Sequence, residues 1–197
     1  MKIIGLTGNS GSGKGYVCSL LEKYSVRSVD ADSIVHLLYR SDNECKNEMR
    51  DIFGDGIFDK DQNIDRKKLA ALVFSDRTKL ELLNKTVHKY VIKHCEREIM
   101  LAKEKNEKAI VIDAPQLFEA GMDKDCDFVI SVVADTETCV ERIIGRDKIS
   151  RDDALKRLKN QHTRDFFEKR SDYLIFNDQN SDVEDRIKEI LLKENLI

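Results

Sequence analysis

The 197-residue chain carries 34 basic and 37 acidic residues, a formal net charge of -3. That near-balance argues against a nucleic-acid binder working through bulk electrostatics. No apolar run approaches the roughly 18 to 20 residues that cross a bilayer, so no membrane partner is expected either. A composition of 41% hydrophobic and 36% charged residues suits one globular domain with a real core.

In chain order, "KIIGL" at 2–6 is the first of five short apolar runs. The opening "MKIIGLTG" is too short, and too soon broken by Gly and Thr, for a signal peptide. Directly after it stands "GNSGSGKG", in which Gly8, Gly13 and Lys14 fit the phosphate-loop spacing G-x-x-x-x-G-K. Such a loop turns backbone N–H groups inward, and the following helix adds its positive end. The motif calls next for a Ser or Thr hydroxyl to ligate magnesium, and the residue here is Gly15. A helix follows, with Val17, Leu20, Leu21 and Tyr24 on its apolar face.

The second strand, "VRSV" at 26–29, runs into Asp30 and Asp32. At most one of these can cap the next helix. A carboxylate turned to a cleft can instead take the proton of an attacking hydroxyl, and the spacing leaves both roles open. Residues 31–108 are too long for one crossover and strongly helical. Leu80, Leu83, Val87, Val91, Cys95 and Ile99 trace one stripe at intervals of three and four. The stretch reads as a helical insertion at the sheet edge.

"AIVI" at 109–112 leads to Asp113 and "DAPQLFE"; Asp113 is either a magnesium holder acting through water or a turn aspartate. "FVISVV" at 128–133 and "YLIF" at 173–176 complete five strands, so the fold class is a doubly wound parallel α/β sheet. Ligands of such sheets bind outside the carboxyl ends of the strands, where the loop, "DAD" and "DAPQLFE" all fall. Between the last two strands, Gly145 is expected to end one helix, and Ser150 with Asp153 resembles a capping box for the next. Arg142 and Arg146 share one face there and suit a clamp on a transferring phosphoryl group. The five cysteines, scattered and without a C-x-x-C pair, read as free thiols of a reducing cytoplasm. "NKTV" at 84–87 lacks the Asp of a guanine-reading motif, so a small-molecule kinase fits better than a GTPase.

With these residues in hand, the chain resembles the dephospho-coenzyme A kinases nearly end to end. The resemblance runs through "IGLTGNSGSGKG", "VDAD", "FGDGIFDKDQNIDRKKLAALVF", "LNKTVH", "IDAPQLFEAG", "CVERIIGRD", "LKRLKNQ" and "RSDYLIFND". It implies a P-loop kinase fold in three parts: a core of about 1–30, 109–134 and 172–197, a helical acceptor region of about 31–108, and a lid of about 135–171. It further implies transfer of the γ-phosphoryl of ATP, with Mg2+, to the ribose 3′-hydroxyl of dephospho-CoA. Asp32 then matches the catalytic base and Arg142 the lid arginine, acting with Lys14. Gly11, Ser12, Gly13, Lys14, Gly15, Tyr16, Arg146 and Asn177 match ATP-binding positions. Arg66, Asn84, His88, Pro115 and Leu117 match the acceptor side.

The chain departs from the family pattern in four places. Gly15 and Tyr16 replace Ser-Thr, Lys89 replaces a proline, Cys139 a glutamine, and Gln116 a leucine. Two other readings stay open at this point: a related kinase with another acceptor, such as a nucleoside monophosphate, and a nucleotide-binding protein without turnover.

Overall fold

The structure, a computed structural model, describes residues 1–178 and 182–197. The five apolar runs all fall on strands: β1 Lys2–Gly8, β2 Arg27–Asp30, β3 Ala109–Asp113, β4 Phe128–Val133 and β5 Tyr173–Phe176. They form one sheet in the order β2-β3-β1-β4-β5, and every pairing resolved in register is parallel. Compared with the sequence expectation, β1 reaches on to Gly8 and β3 to Asp113, while β2 slides one residue to end on Asp30. These small extensions put polar residues at the strand ends.

The chain divides into two compact units, residues 1–29 with 99–197, and residues 30–98. In the first, alternate strand residues serve opposite faces of the sheet. Ile4, Leu6, Ala109, Val111, Ile130 and Val132 pack with α1 (Lys14–Lys23) and α9 (Val183–Lys193), through Val17, Leu20, Leu21, Ile187, Ile190 and Leu191. The other face is tight as well: a Cβ on Gly5 would stand 2.7 Å from Leu117. A sheet buried on both sides accounts for strands that read as continuous apolar runs.

Between β4 and β5 lie α6 (Thr136–Asp147), α7 (Arg151–Lys159) and α8 (Arg164–Arg170). Val140, Ile143 and Ala154 are buried together, with Ile144, Ile149 and Leu158 packed around them. Ser150 caps α7 by accepting from Asp153 N–H, as its spacing predicts. Gly145, by contrast, does not end α6. The helix continues to Asp147 because Ile143 and Ile144 hold it against α7, and Lys148 takes the left-handed cap at φ 55°.

The second unit holds α2 (Ala31–Ser41), α3 (Asn43–Phe53), α4 (Arg66–Val73) and most of α5 (Arg77–Glu104). Aspartates cap three of these helices: Asp30, Asp42 and Asp65 each accept from backbone N–H groups of the first turn. On α5 the expected stripe buries Val87, Val91 and Cys95, joined by Tyr90, while Leu80, Leu83 and Ile99 are only half-buried. The helix runs unbroken through Lys89, which pairs with Glu48 at 2.6 Å beside the Tyr90 hydroxyl.

Candidate active site

Strand register brings three chain segments side by side. Leu6 of β1 pairs with Asp113 of β3, Gly8 pairs with Val132 of β4, and Val133 pairs with Phe176, the residue before Asn177. The loop after β1 therefore leaves the middle of the sheet, with Asp113 on one side and Asn177 on the other. This is the point at which the strand order reverses, where open α/β sheets bind ligands.

Between Gly8 and Lys14 the loop is tightly walled. Gly13 is left-handed at φ 94°, and a Cβ there would meet Asn177 Nδ2 at 1.9 Å. Gly11, at φ 79°, backs onto α6, where a Cβ would sit 2.5 Å from the Cys139 carbonyl oxygen. Both positions need glycine, for conformation and for space. Ser12 N–H donates to Asn9 O at 3.1 Å and Ser10 N–H to Gln161 Oε1 at 3.0 Å. Among the described residues no acceptor meets the N–H of Gly11, Gly13 or Lys14. Ser12 Oγ is buried without a partner. α1 has neither a side-chain cap nor an acidic residue in its first turn. Its positive end and these unclaimed donors make an anion cradle.

Lys14 Nζ lies 2.8 Å from Asp113 Oδ1, a Coulombic contact rather than an aligned hydrogen bond. Cys18, one helical turn beyond Lys14, points its Sγ at Asp113 Oδ2 from 3.5 Å. Burial, reinforced by the Asp113 charge, pushes the Cys18 thiol up, so it stays protonated and donates. The sequence reading missed this thiol, although its spacing of four from Lys14 is the signal.

The sequence-predicted residues of the last third converge on the same loop. Arg142 donates from one terminal nitrogen to Gly11 O (3.2 Å) and Ser12 O (3.3 Å). Asn177 donates to Ser12 O at 2.8 Å, so its amide is a strut of the loop. Arg146 donates to Ser10 Oγ at 3.1 Å and to Asp147. Asp147 also takes Arg157, and the two guanidinium groups hold its carboxyl well below the usual carboxylate range. Beside the loop lies a cavity of about 550 Å3, lined among others by Asn9, Cys139, Leu155, Leu158, Gln161 and Arg164. Tyr16, in α1, is half exposed, and Gly15 faces open space.

Of the turn after β3, Pro115 O accepts from Thr7 Oγ1 at 3.2 Å, and Leu117 is fully buried. Leu117 thus supports the turn from within the core. The other expected residues lie in the second unit. Asp30 is the cap of α2 and accepts from Asp32 N–H at 2.9 Å and from Ser33 Oγ at 2.6 Å. That leaves Asp32, exposed on the first turn, outside the capping role. Arg66 opens α4 and meets His36 Nε2 at 2.9 Å. Asn84 and His88 are four apart on α5, both half-buried.

A family model described as CoaE, dephospho-CoA kinase, matches residues 2–183. The dephospho-CoA kinase of Fusobacterium nucleatum is 40% identical over 188 residues, 95% of this chain and 94% of that protein. Among solved structures, TT1252 from Thermus thermophilus aligns with a TM-score of 0.80 and 29% identity, covering 98% of this chain and 97% of that one. Dephospho-CoA kinase from Campylobacter jejuni shares the fold, with a TM-score of 0.60, 22% identity and coverage of 98% and 96%. By its sheet, its phosphate loop and these matches, the chain belongs to the dephospho-CoA kinase family and has the P-loop kinase fold.

Proposed function

We infer that the protein transfers the γ-phosphoryl group of ATP to the ribose 3′-hydroxyl of dephospho-CoA, giving coenzyme A and ADP. The observation that carries this reading is the anion cradle: unclaimed loop N–H groups, an uncapped helix end and Lys14 together, in a chain of this family. Gly11, Ser12, Gly13, Lys14, Gly15 and Tyr16 receive the phosphates of ATP, with Arg146 and Asn177 completing that side. Arg142 holds the loop by one terminal nitrogen, which leaves its other donors for the oxygens of the transferring group. As the O–P bond to the acceptor forms and the bond to the β-phosphate oxygen breaks, Asp32 takes the hydroxyl proton and ADP leaves. Arg66, Asn84 and His88 are assigned to binding the acceptor, and so is Pro115, whose turn Leu117 supports from within the core.

Magnesium, when bound, supplies positive charge to the β- and γ-phosphates. The residues fit it. Asp113 is a carboxylate beside the loop lysine, and the open space at Gly15 leaves room for a water in place of the missing hydroxyl. Free thiols at all five cysteines suit the cytoplasm as the compartment.

A coupled ADP-release assay tests the reading, with dephospho-CoA, AMP, CMP and adenosine as acceptors and the product's 3′-phosphate identified. Release with dephospho-CoA alone is expected. Release only with a nucleoside monophosphate would reassign the acceptor, and ATP binding without release would make the protein non-catalytic.

A further inference from the structure

The segment between α7 and α8 grips the phosphate loop at two consecutive residues. Asn9 Nδ2 donates to His162 O at 2.8 Å, and Ser10 N–H donates to Gln161 Oε1 at 3.0 Å. The segment is itself anchored. Gln161 N–H donates to Leu158 O at 3.0 Å. The His162 ring stacks on Phe166, with centroids 3.6 Å apart and planes at 6°, and His162 Nε2 lies 2.8 Å from Glu119. Phe166 in turn meets Phe118 edge-on at 5.5 Å. A side chain that is held from behind and accepts from one loop N–H fixes the orientation of that peptide group.

That orientation matters at Ser10. Its N–H is claimed by Gln161, whereas the following Gly11 N–H is left for a ligand. Glycines on both sides, Gly8 and Gly11, give the loop backbone freedom that its neighbours must remove. Without an acceptor at Gln161, the peptide before Ser10 can rotate, and nucleotide binding must then order it.

We propose that Gln161 is a positioning residue of the phosphate loop: it orients the Ser10 peptide so that the anion cradle is formed before the nucleotide arrives. The inference rests on the loop holding nucleotide phosphates, and is independent of which acceptor is used. Its effect is on ground-state binding, so loss of Gln161 raises Kd and KM for the nucleotide, while kcat and the acceptor KM stay within about twofold.

The test compares Gln161→Met, which keeps length and removes the acceptor, with Gln161→Glu, which keeps the acceptor and adds charge. ADP affinity is measured without metal, and hydrogen exchange is followed at the Ser10 amide. Gln161→Met is expected to lose Ser10 protection and to weaken ADP about 5- to 10-fold, the loss of one ordinary hydrogen bond. Gln161→Glu is expected to retain Ser10 protection yet bind ADP more weakly, because its charge faces the phosphates. Unchanged Ser10 exchange in Gln161→Met would overturn the proposal, as would ADP affinity within twofold of the parent. A fall in protection spread over the whole sheet would also overturn it, since that marks a merely structural role. If the parent protein binds no ADP, the kinase reading fails, while Ser10 exchange still reports on Gln161.

Discussion

Lys14 Nζ stands 2.8 Å from Asp113 Oδ1, on side chains only 16% and 13% exposed, so the loop lysine and the strand-end carboxylate already neutralise one another. Nucleotide phosphates must compete with Asp113 for Lys14. Asp113→Asn is therefore expected to strengthen metal-free ADP binding several-fold and to lower the magnesium-dependent rate at least 10-fold. Removing one partner of a buried pair costs about 3–5 kcal/mol. The partial exposure here reduces that to roughly 1–2 kcal/mol of stability. Isothermal titration with ADP in chelator, beside the ADP-release assay, checks both arms. Weaker metal-free binding would show that the pair does not compete with phosphate.

Gly13 and Gly15, on either side of Lys14, should respond oppositely. Gly13→Ala drives a Cβ into Asn177 Nδ2 at 1.9 Å and strains a left-handed backbone, at a combined cost of a few kcal/mol or more. It should abolish nucleotide binding. Gly15 faces open space, so Gly15→Ser should fold normally and supply the missing hydroxyl. The magnesium concentration for half-maximal rate should then fall, with metal-free ADP affinity barely moved. Identical magnesium curves for the parent and Gly15→Ser would mean that no ligand is missing.

Asp30 and Asp32 have separable tasks. Asp30 accepts from Asp32 N–H and Ser33 Oγ, so Asp30→Ala should cost about 1 kcal/mol of stability, seen as a lower Tm, with only a few-fold loss of turnover. Asp32→Asn should leave Tm and ATP binding in place and reduce kcat on the order of 10²–10⁴-fold. Equal, small losses of turnover in the two variants would remove Asp32 from the role of base.

The cysteines near the loop should be inert. Burial pushes the Cys139 thiol up to about 11, and burial with the Asp113 charge raises that of Cys18. A raised thiol pKa shrinks the reactive thiolate, to about one part in a thousand for Cys139 at pH 8. Iodoacetamide at pH 8 should leave turnover intact until denaturant is added. Fast inactivation that ATP prevents would contradict the described burial. Cys18→Ser, which keeps a donor to Asp113, should retain more activity than Cys18→Ala.

The parts of this protein legible from sequence are those governed by near neighbours in the chain. Short apolar runs mark all five strands, the glycine spacing with Lys14 marks the loop, and Ser150 with Asp153 marks a helix start. Each is a local rule of backbone geometry, and so was the wrong end assigned to α6. Gly145 is a fair stop by propensity, but packing of Ile143 and Ile144 against α7 outweighs the roughly 1 kcal/mol that a mid-helix glycine costs. Tertiary structure alone decided which side chains meet the loop. Gln161 and Ser10 are 151 residues apart, Arg142 and Gly11 131, and Asn177 and Ser12 165. Their meeting follows from the strand order β2-β3-β1-β4-β5, which sets Asp113 and Asn177 on opposite sides of β1. That order sets the largely buried strands β1, β3 and β4 inside the sheet and the partly exposed β2 and β5 at its edges, a sorting over distant residues that no window of sequence contains.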